Sequence, residues 1–107
     1  MTHHMTDLMP QNLEFIGFEP SENIVERALE KLGRVFGESP SDAATTATLK
    51  KTRKGFEGHV AIHSAVGSFV ADVIGEDPLA VMHRLSLKIR SQLRVWKRSR
   101  QIDTSGY

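Results

Sequence analysis

Cysteine is absent from this chain, which excludes a disulfide framework and any thiolate metal site. Nothing then argues for an oxidising compartment, and a cytoplasmic location is expected. Long hydrophobic runs are missing as well. No apolar stretch approaches the roughly 20 residues needed to cross a bilayer, and residues 1–10 have neither the basic nor the apolar region of a secretory leader. A soluble protein without membrane contact is expected. There is no glycine-rich phosphate loop and no nucleophile elbow, and no Ser or His sits beside a recognisable orienting acid. The chain therefore does not read as an enzyme: no catalytic residues, cofactor, metal or small-molecule substrate are expected.

What is present is one domain's worth of chain, 107 residues of which 39% are hydrophobic, enough for a modest single core. Its formal charge of +1 conceals a gradient. Met1 to Asp42 holds eight acids and three cations, Ala43 to Asp77 four of each, and Pro78 to Ile102 seven cations and no acid, with Asp103 last. The segment charges of −5, 0, +7 and −1 sum to the formal +1. Crowded cations repel one another, so asymmetry of this kind points to a polyanionic partner. An ordinary solvated helix would interleave acids among its bases.

Hydrophobic spacing sets the order of elements. Leu13 to Phe18 is short, apolar and aromatic and ends at Glu19-Pro20, as a strand does. Ser21 can cap a helix from Glu22 to Phe36, with Gly37 placed for a left-handed C-terminal cap. Val25, Ala28, Leu29, Leu32, Val35 and Phe36 form its apolar stripe, with Arg27, Lys31 and Arg34 on one flank and Glu26 and Glu30 on the other. Thr45 to Lys51 favours strand, Lys50 to Gly55 turns the chain, and the alternation in Phe56 to His63 marks a half-buried strand. Ser68 to Ile74 is the next strand, and the short links imply an antiparallel meander. Asp77-Pro78 opens a helix to about Arg100, on which Met82, Leu85, Ile89, Leu93 and Trp96 face the core with Gln92 at the stripe's edge.

The fold class is thus α+β, in the order β-α-β-β-β-α, with two helices packed on one face of a four-stranded antiparallel sheet. The expected domain spans residues 12–101, between a disordered tail at 1–11 and a short C-terminal tail at 102–107. The candidate RNA-binding residues are the cations left outside the core. They are Arg27, Lys31 and Arg34 on the first helix, Lys50, Lys51, Arg53 and Lys54 at the hairpin tip, and Arg84, Lys88, Arg90, Arg94, Lys97 and Arg98 on the last helix. Helix neighbours one turn apart lie about 5–6 Å from each other, a spacing that suits successive phosphates.

Other features read more plainly as structure. His59 and His63 share a strand face but stand roughly 13 Å apart, too far to hold one metal. Asp77 is explained as a cap and Asp72 by solvent-facing alternation. Trp96 belongs to packing, and Leu87, on the polar side of its helix, is a tolerated surface residue or a partner contact.

In this order and at this spacing the chain resembles the ribosome hibernation-promoting factor family, also called ribosome-associated translation inhibitors or sigma-54 modulation proteins. The resemblance covers Leu13 to about Arg98. It is carried by Pro20-Ser21-Glu22 leading into Val25-Glu26 with Leu29, Lys31, Leu32, Arg34 and Phe36, by the meander, and by Glu76-Asp77, Ala80, Lys88, Gln92-Leu93-Arg94 and Lys97. It implies a stress-response protein that binds ribosomal RNA in the cleft of the small ribosomal subunit and sterically blocks the messenger and transfer RNA sites. The family's basic positions correspond to Lys31, Arg34, Lys88, Arg94 and Lys97, whereas Arg84, Arg90 and Arg98 are additions. His83, Leu87 and Arg90 stand where the family usually has acids, and Val95 where it commonly has a base. Without the dimerisation domain of long members, the chain is similar to the short type and is expected to act as a monomer. Two alternatives stay open: a generic double-stranded-RNA-binding module, and a protein-interaction regulator of the sigma-54 modulation kind.

Overall fold

The computed structural model describes residues 13–105, with side chains described through residue 99. Its elements are β1 (Leu13–Ile16), α1 (Glu22–Gly37), β2 (Ala44–Lys51), β3 (Phe56–Ser64), β4 (Gly67–Gly75) and α2 (Pro78–Ser105). The expected N-terminal tail, 1–11, lies outside the described residues. Residues 102–105, expected as tail, continue α2 as helix, since no Pro or Gly interrupts the sequence between Pro78 and Gly106.

The strands form one sheet in the order β1-β2-β3-β4. β2, β3 and β4 are the expected antiparallel meander, but β1 pairs parallel to β2, Leu13 opposite Ala47 and Ile16 opposite Lys50. The sheet is therefore mixed rather than antiparallel. The cause is the connection: a helix between two neighbouring strands returns the chain to its starting side, so the second strand runs the same way as the first. β1 also ends two residues before Phe18, because Gly17 takes φ +82° and bends the chain. That bend brings Phe18 edge-on to Phe15 and Phe56, with ring centroids 5.8 and 5.0 Å apart.

One face of the sheet, carrying Ala47, Leu49, Val60, Ile62, Phe69, Ala71 and Val73, is buried beneath both helices. Ala28, Leu32 and Val35 of α1 and Val81, Met82, Leu85, Ile89 and Leu93 of α2 complete a single core. Each fully buried Leu or Ile in it contributes about 1.5–3 kcal/mol. α1 starts as its sequence requires, with the Ser21 hydroxyl accepting from the Ile24 N–H at 3.2 Å, and the Asp77 carboxylate likewise accepts from Ala80 N–H at 2.8 Å to start α2. The left-handed cap expected at Gly37 is not formed. Gly37 closes α1 as a helical residue, and Glu38 and Ser39 donate their N–H groups to Val35 and Phe36 before Pro40 stops the helix.

The two helices run in the same direction. Lys31 of α1 lies beside His83 of α2, Glu38 beside Arg90, and the segment after α1 beside Trp96 and Lys97. The other sheet face is open. There His59 bonds Asp72 at 2.7 Å and His63 bonds Ser68 at 2.9 Å, so each histidine is held by β4 rather than by the other.

β4 is an edge strand, and α2 covers part of its edge. The Gln92 amide accepts from the Val70 N–H at 3.1 Å and donates to the Val70 carbonyl at 2.8 Å, reproducing the pair of bonds that a neighbouring strand would make. Gln92→Ala removes both. At about 0.5–1.5 kcal/mol per bond, the expected loss is about 1–3 kcal/mol. In native-state hydrogen exchange the Val70 amide should then exchange about 5- to 150-fold faster, since each 1.4 kcal/mol is a factor of ten in an equilibrium. An unchanged Val70 rate would show that the clamp does not protect the edge.

Candidate nucleic-acid interface

The apolar stripe of α2 fixes what the rest of the helix can do. At 100° per residue, burying Met82, Leu85, Ile89 and Leu93 turns Arg90, Arg94 and Lys97 toward α1, Lys88 toward β4, and Arg84 and Arg98 toward solvent. On α1, burial of Val25, Ala28, Leu32 and Val35 turns Lys31 and Arg34 toward α2, with Arg27 beside them and Glu30 one turn from both arginines on the outer face. Lys31 and Arg34 meet the bases of α2 at the helix seam.

That seam contains a small notch lined by Lys31, Arg34, His83, Ser86, Leu87 and Arg90. Lys31 Nζ lies 3.3 Å from His83 Nδ1. An ammonium can only donate, so Nδ1 is the acceptor in this contact. Arg90 Nε faces Glu38 Oε1 at 3.6 Å, an ion pair too long for a hydrogen bond, and this nitrogen is buried with no hydrogen-bonding partner. Glu38 is the one acid within ion-pair distance of a helix cation among the described residues. The seam is thus a field of largely uncompensated positive charge on a rigid scaffold.

The expected binding residues do not all join this surface. Lys88 sits on the opposite flank of α2, where its Nζ donates to the Asp72 carbonyl at 3.2 Å in an open groove with Val70, Leu87, Ser91 and Gln92. Lys51 lies on the core side of the sheet with its Nζ 4.6 Å from the centroid of the Phe56 ring, a cation–π contact. Lys50, Arg53 and Lys54 are exposed at the β2–β3 tip. The tip adjoins the start of α2, because Gly55 packs against the backbone of Gly75 and Glu76. Lys97 lines a shallow cleft with Trp96, Val66 and residues 37–42. Arg27, Arg84, Arg94 and Arg98 are exposed.

Sequence reasoning passed over Ser86, which is 7% exposed and donates its hydroxyl to the His83 carbonyl at 2.7 Å. A small residue between the stripe and the basic flank was the signal available. Among the described residues no cluster of three or more His, Asp or Glu could hold a metal, and no helix is long and apolar enough to cross a membrane.

The arrangement defines a class: a small α+β domain of β-α-β-β-β-α order whose paired helices present a cationic seam. Among solved structures, the ribosomal subunit interface protein from Coxiella burnetii shares this fold with a TM-score of 0.67 and 16% identity, over 81% of this chain and 96% of that one. The N-terminal domain of Protein Y from Thermus thermophilus does so with a TM-score of 0.60 and 17% identity, over 79% and 98%. At these identities the likeness is one of fold. No protein-family model and no curated protein sequence matches the chain.

Proposed function

We propose that this chain is a ribosome hibernation factor: a cytoplasmic, non-catalytic, monomeric protein of the stress response. In this reading it binds ribosomal RNA of the small subunit and occludes the messenger and transfer RNA sites. The observation that carries the reading is the cationic seam, where the basic flanks of α1 and α2 converge with one acid in ion-pair contact. The fold adds support, since one protein that shares it is a ribosomal subunit interface protein. Inhibition by occupancy needs no reacting group; it needs a rigid body with charge on the correct side, and two helices packed on a sheet provide one. Within this reading Arg34, Arg90, Arg94 and Lys97 make the principal phosphate contacts, Lys31 and Arg27 widen the footprint along α1, and the exposed tip cations form a separate, weaker contact.

The test is sedimentation of the purified chain with small ribosomal subunits from stationary-phase cells. The chain should pellet with the subunits, be lost after ribonuclease treatment, and resist displacement by plain duplex RNA. Displacement by an equal mass of duplex RNA would make it a generic duplex binder. Retention after ribonuclease would make its partner a protein.

A further inference from the structure

We propose that the notch between α1 and α2 is a seat for a single phosphate group, gripped by Lys31, Arg34 and Arg90, with His83 beside Lys31 and Ser86 as its floor. Its size suits that ligand. The notch is small, about 80 Å³, a size suited to one tetrahedral oxyanion. Its chemistry suits an anion as well, because three cations and an imidazole line it and no carboxylate does.

The free protein leaves this cluster unsatisfied in two places. Lys31 has only the His83 ring nitrogen, 3.3 Å away, as its hydrogen-bond partner. Arg90 keeps a buried Nε without an acceptor, its carboxylate neighbour standing off at 3.6 Å. An entering phosphate offers acceptor oxygens to the Lys31 ammonium and to the guanidinium groups of Arg34 and Arg90, and a guanidinium can bind it through two parallel N–H···O bonds. Ser86 makes the space: its short side chain is buried, and its proton is committed to the His83 carbonyl at 2.7 Å, where a longer residue would occupy the notch. The residues come from two helices packed into one core, so the seat exists before the ligand arrives and costs little ordering on binding.

This inference rests on the proposed RNA-binding function only for the source of the phosphate. A nucleic-acid backbone supplies a phosphodiester; a free or terminal phosphate carries the same tetrahedral oxygens. The experiment is an NMR titration of the isotope-labelled full chain with inorganic phosphate and, separately, with dimethyl phosphate, against chloride at matched ionic strength. Both should produce saturable shifts at the Arg90 Nε–H and at the Ser86 and Leu87 amides, ahead of any change at Arg84 or Arg98. Arg90→Gln removes one bidentate grip, and Ser86→Leu fills the notch while keeping every charge; each should weaken binding by about tenfold or more. If Ser86→Leu does not fold, Arg90→Gln still decides, because that side chain is partly exposed and lies outside the core. Shifts that match those with chloride, or a titration unchanged by both variants, overturn the seat. Saturation by inorganic phosphate alone keeps the seat and removes the phosphodiester as its ligand. The two proposals fail separately: a chain that pellets with subunits but shows no saturable shift loses only the seat, and one that binds phosphate but does not pellet loses only the ribosomal role.

Discussion

Raising monovalent salt from about 50 to 200 mM should weaken binding to the small ribosomal subunit by about 300- to 1,000-fold, if about six phosphates are neutralised. The six cations proposed to do so are Arg27, Lys31, Arg34, Arg90, Arg94 and Lys97. Each neutralised phosphate releases condensed counterions and contributes about −0.7 to −0.9 to the slope of log affinity against log salt, giving a slope near −4 to −5. Lys88 is left out of the count because its amine is held on the β4 edge by the Asp72 carbonyl. The charge-reversing pair Arg94→Glu and Lys97→Glu should abolish sedimentation with the subunit and leave the circular dichroism spectrum unchanged, since both side chains are exposed on α2. A flat salt response measured on purified subunits would rule out an interface built on phosphates.

A large expected effect on stability comes from the covered face of the sheet, at Gly58, where β3 meets α2. A Cβ at this position would lie 2.5 Å from Leu85 Cδ1 and 2.7 Å from Val81 Cγ1, inside the contact distance of carbon atoms. Both partners are fully buried, so neither can swing out of the way. Gly58→Val should therefore cost about 3 kcal/mol by overpacking. In a domain of this size that lowers the thermal midpoint by about 12–24 °C. Leu85→Ala alone should cost about 2–5 kcal/mol by leaving a cavity. Combined, the two changes should cost clearly less than their sum, because the added valine fills the space the leucine vacates. Thermal melts of the four proteins measure this directly, and strict additivity would mean that α2 does not rest on β3 at this point.

The elements, their order and the inward faces of both helices are legible in the sequence because burial has a period. Val25, Ala28, Leu32 and Val35 on one helix and Met82, Leu85, Ile89 and Leu93 on the other are spaced as a buried stripe must be, and they are the residues found buried. The mixed sheet follows from a helical connection but was missed, since strand direction is set by pairing and no residue records it. The site is less legible for a related reason. Composition reads Lys88 and Arg90 as members of one basic set, yet they are about 200° apart around the helix, and only the packing of α1 decides which of them meets Lys31 and Arg34. Lys51 shows the same limit: its charge was visible in the hairpin run, whereas its position over the Phe56 ring depends on which face of β2 it occupies. Gln92 was visible as an edge residue, but its pairing with Val70 spans 22 positions of sequence.

Trp96 stands half-buried where α2 passes the end of α1, its ring set edge-on to Phe69 at 6.1 Å and its neighbour Lys97 among the proposed contacts. It is the chain's one tryptophan. Its emission therefore reports on a single place in the molecule, the cleft it shares with Val66, Lys97 and residues 37–42. Excited selectively, it gives a label-free optical signal for anything that settles there beside Lys97. The same signal in a denaturant series follows the packing of α2 against the sheet rather than an average over the protein.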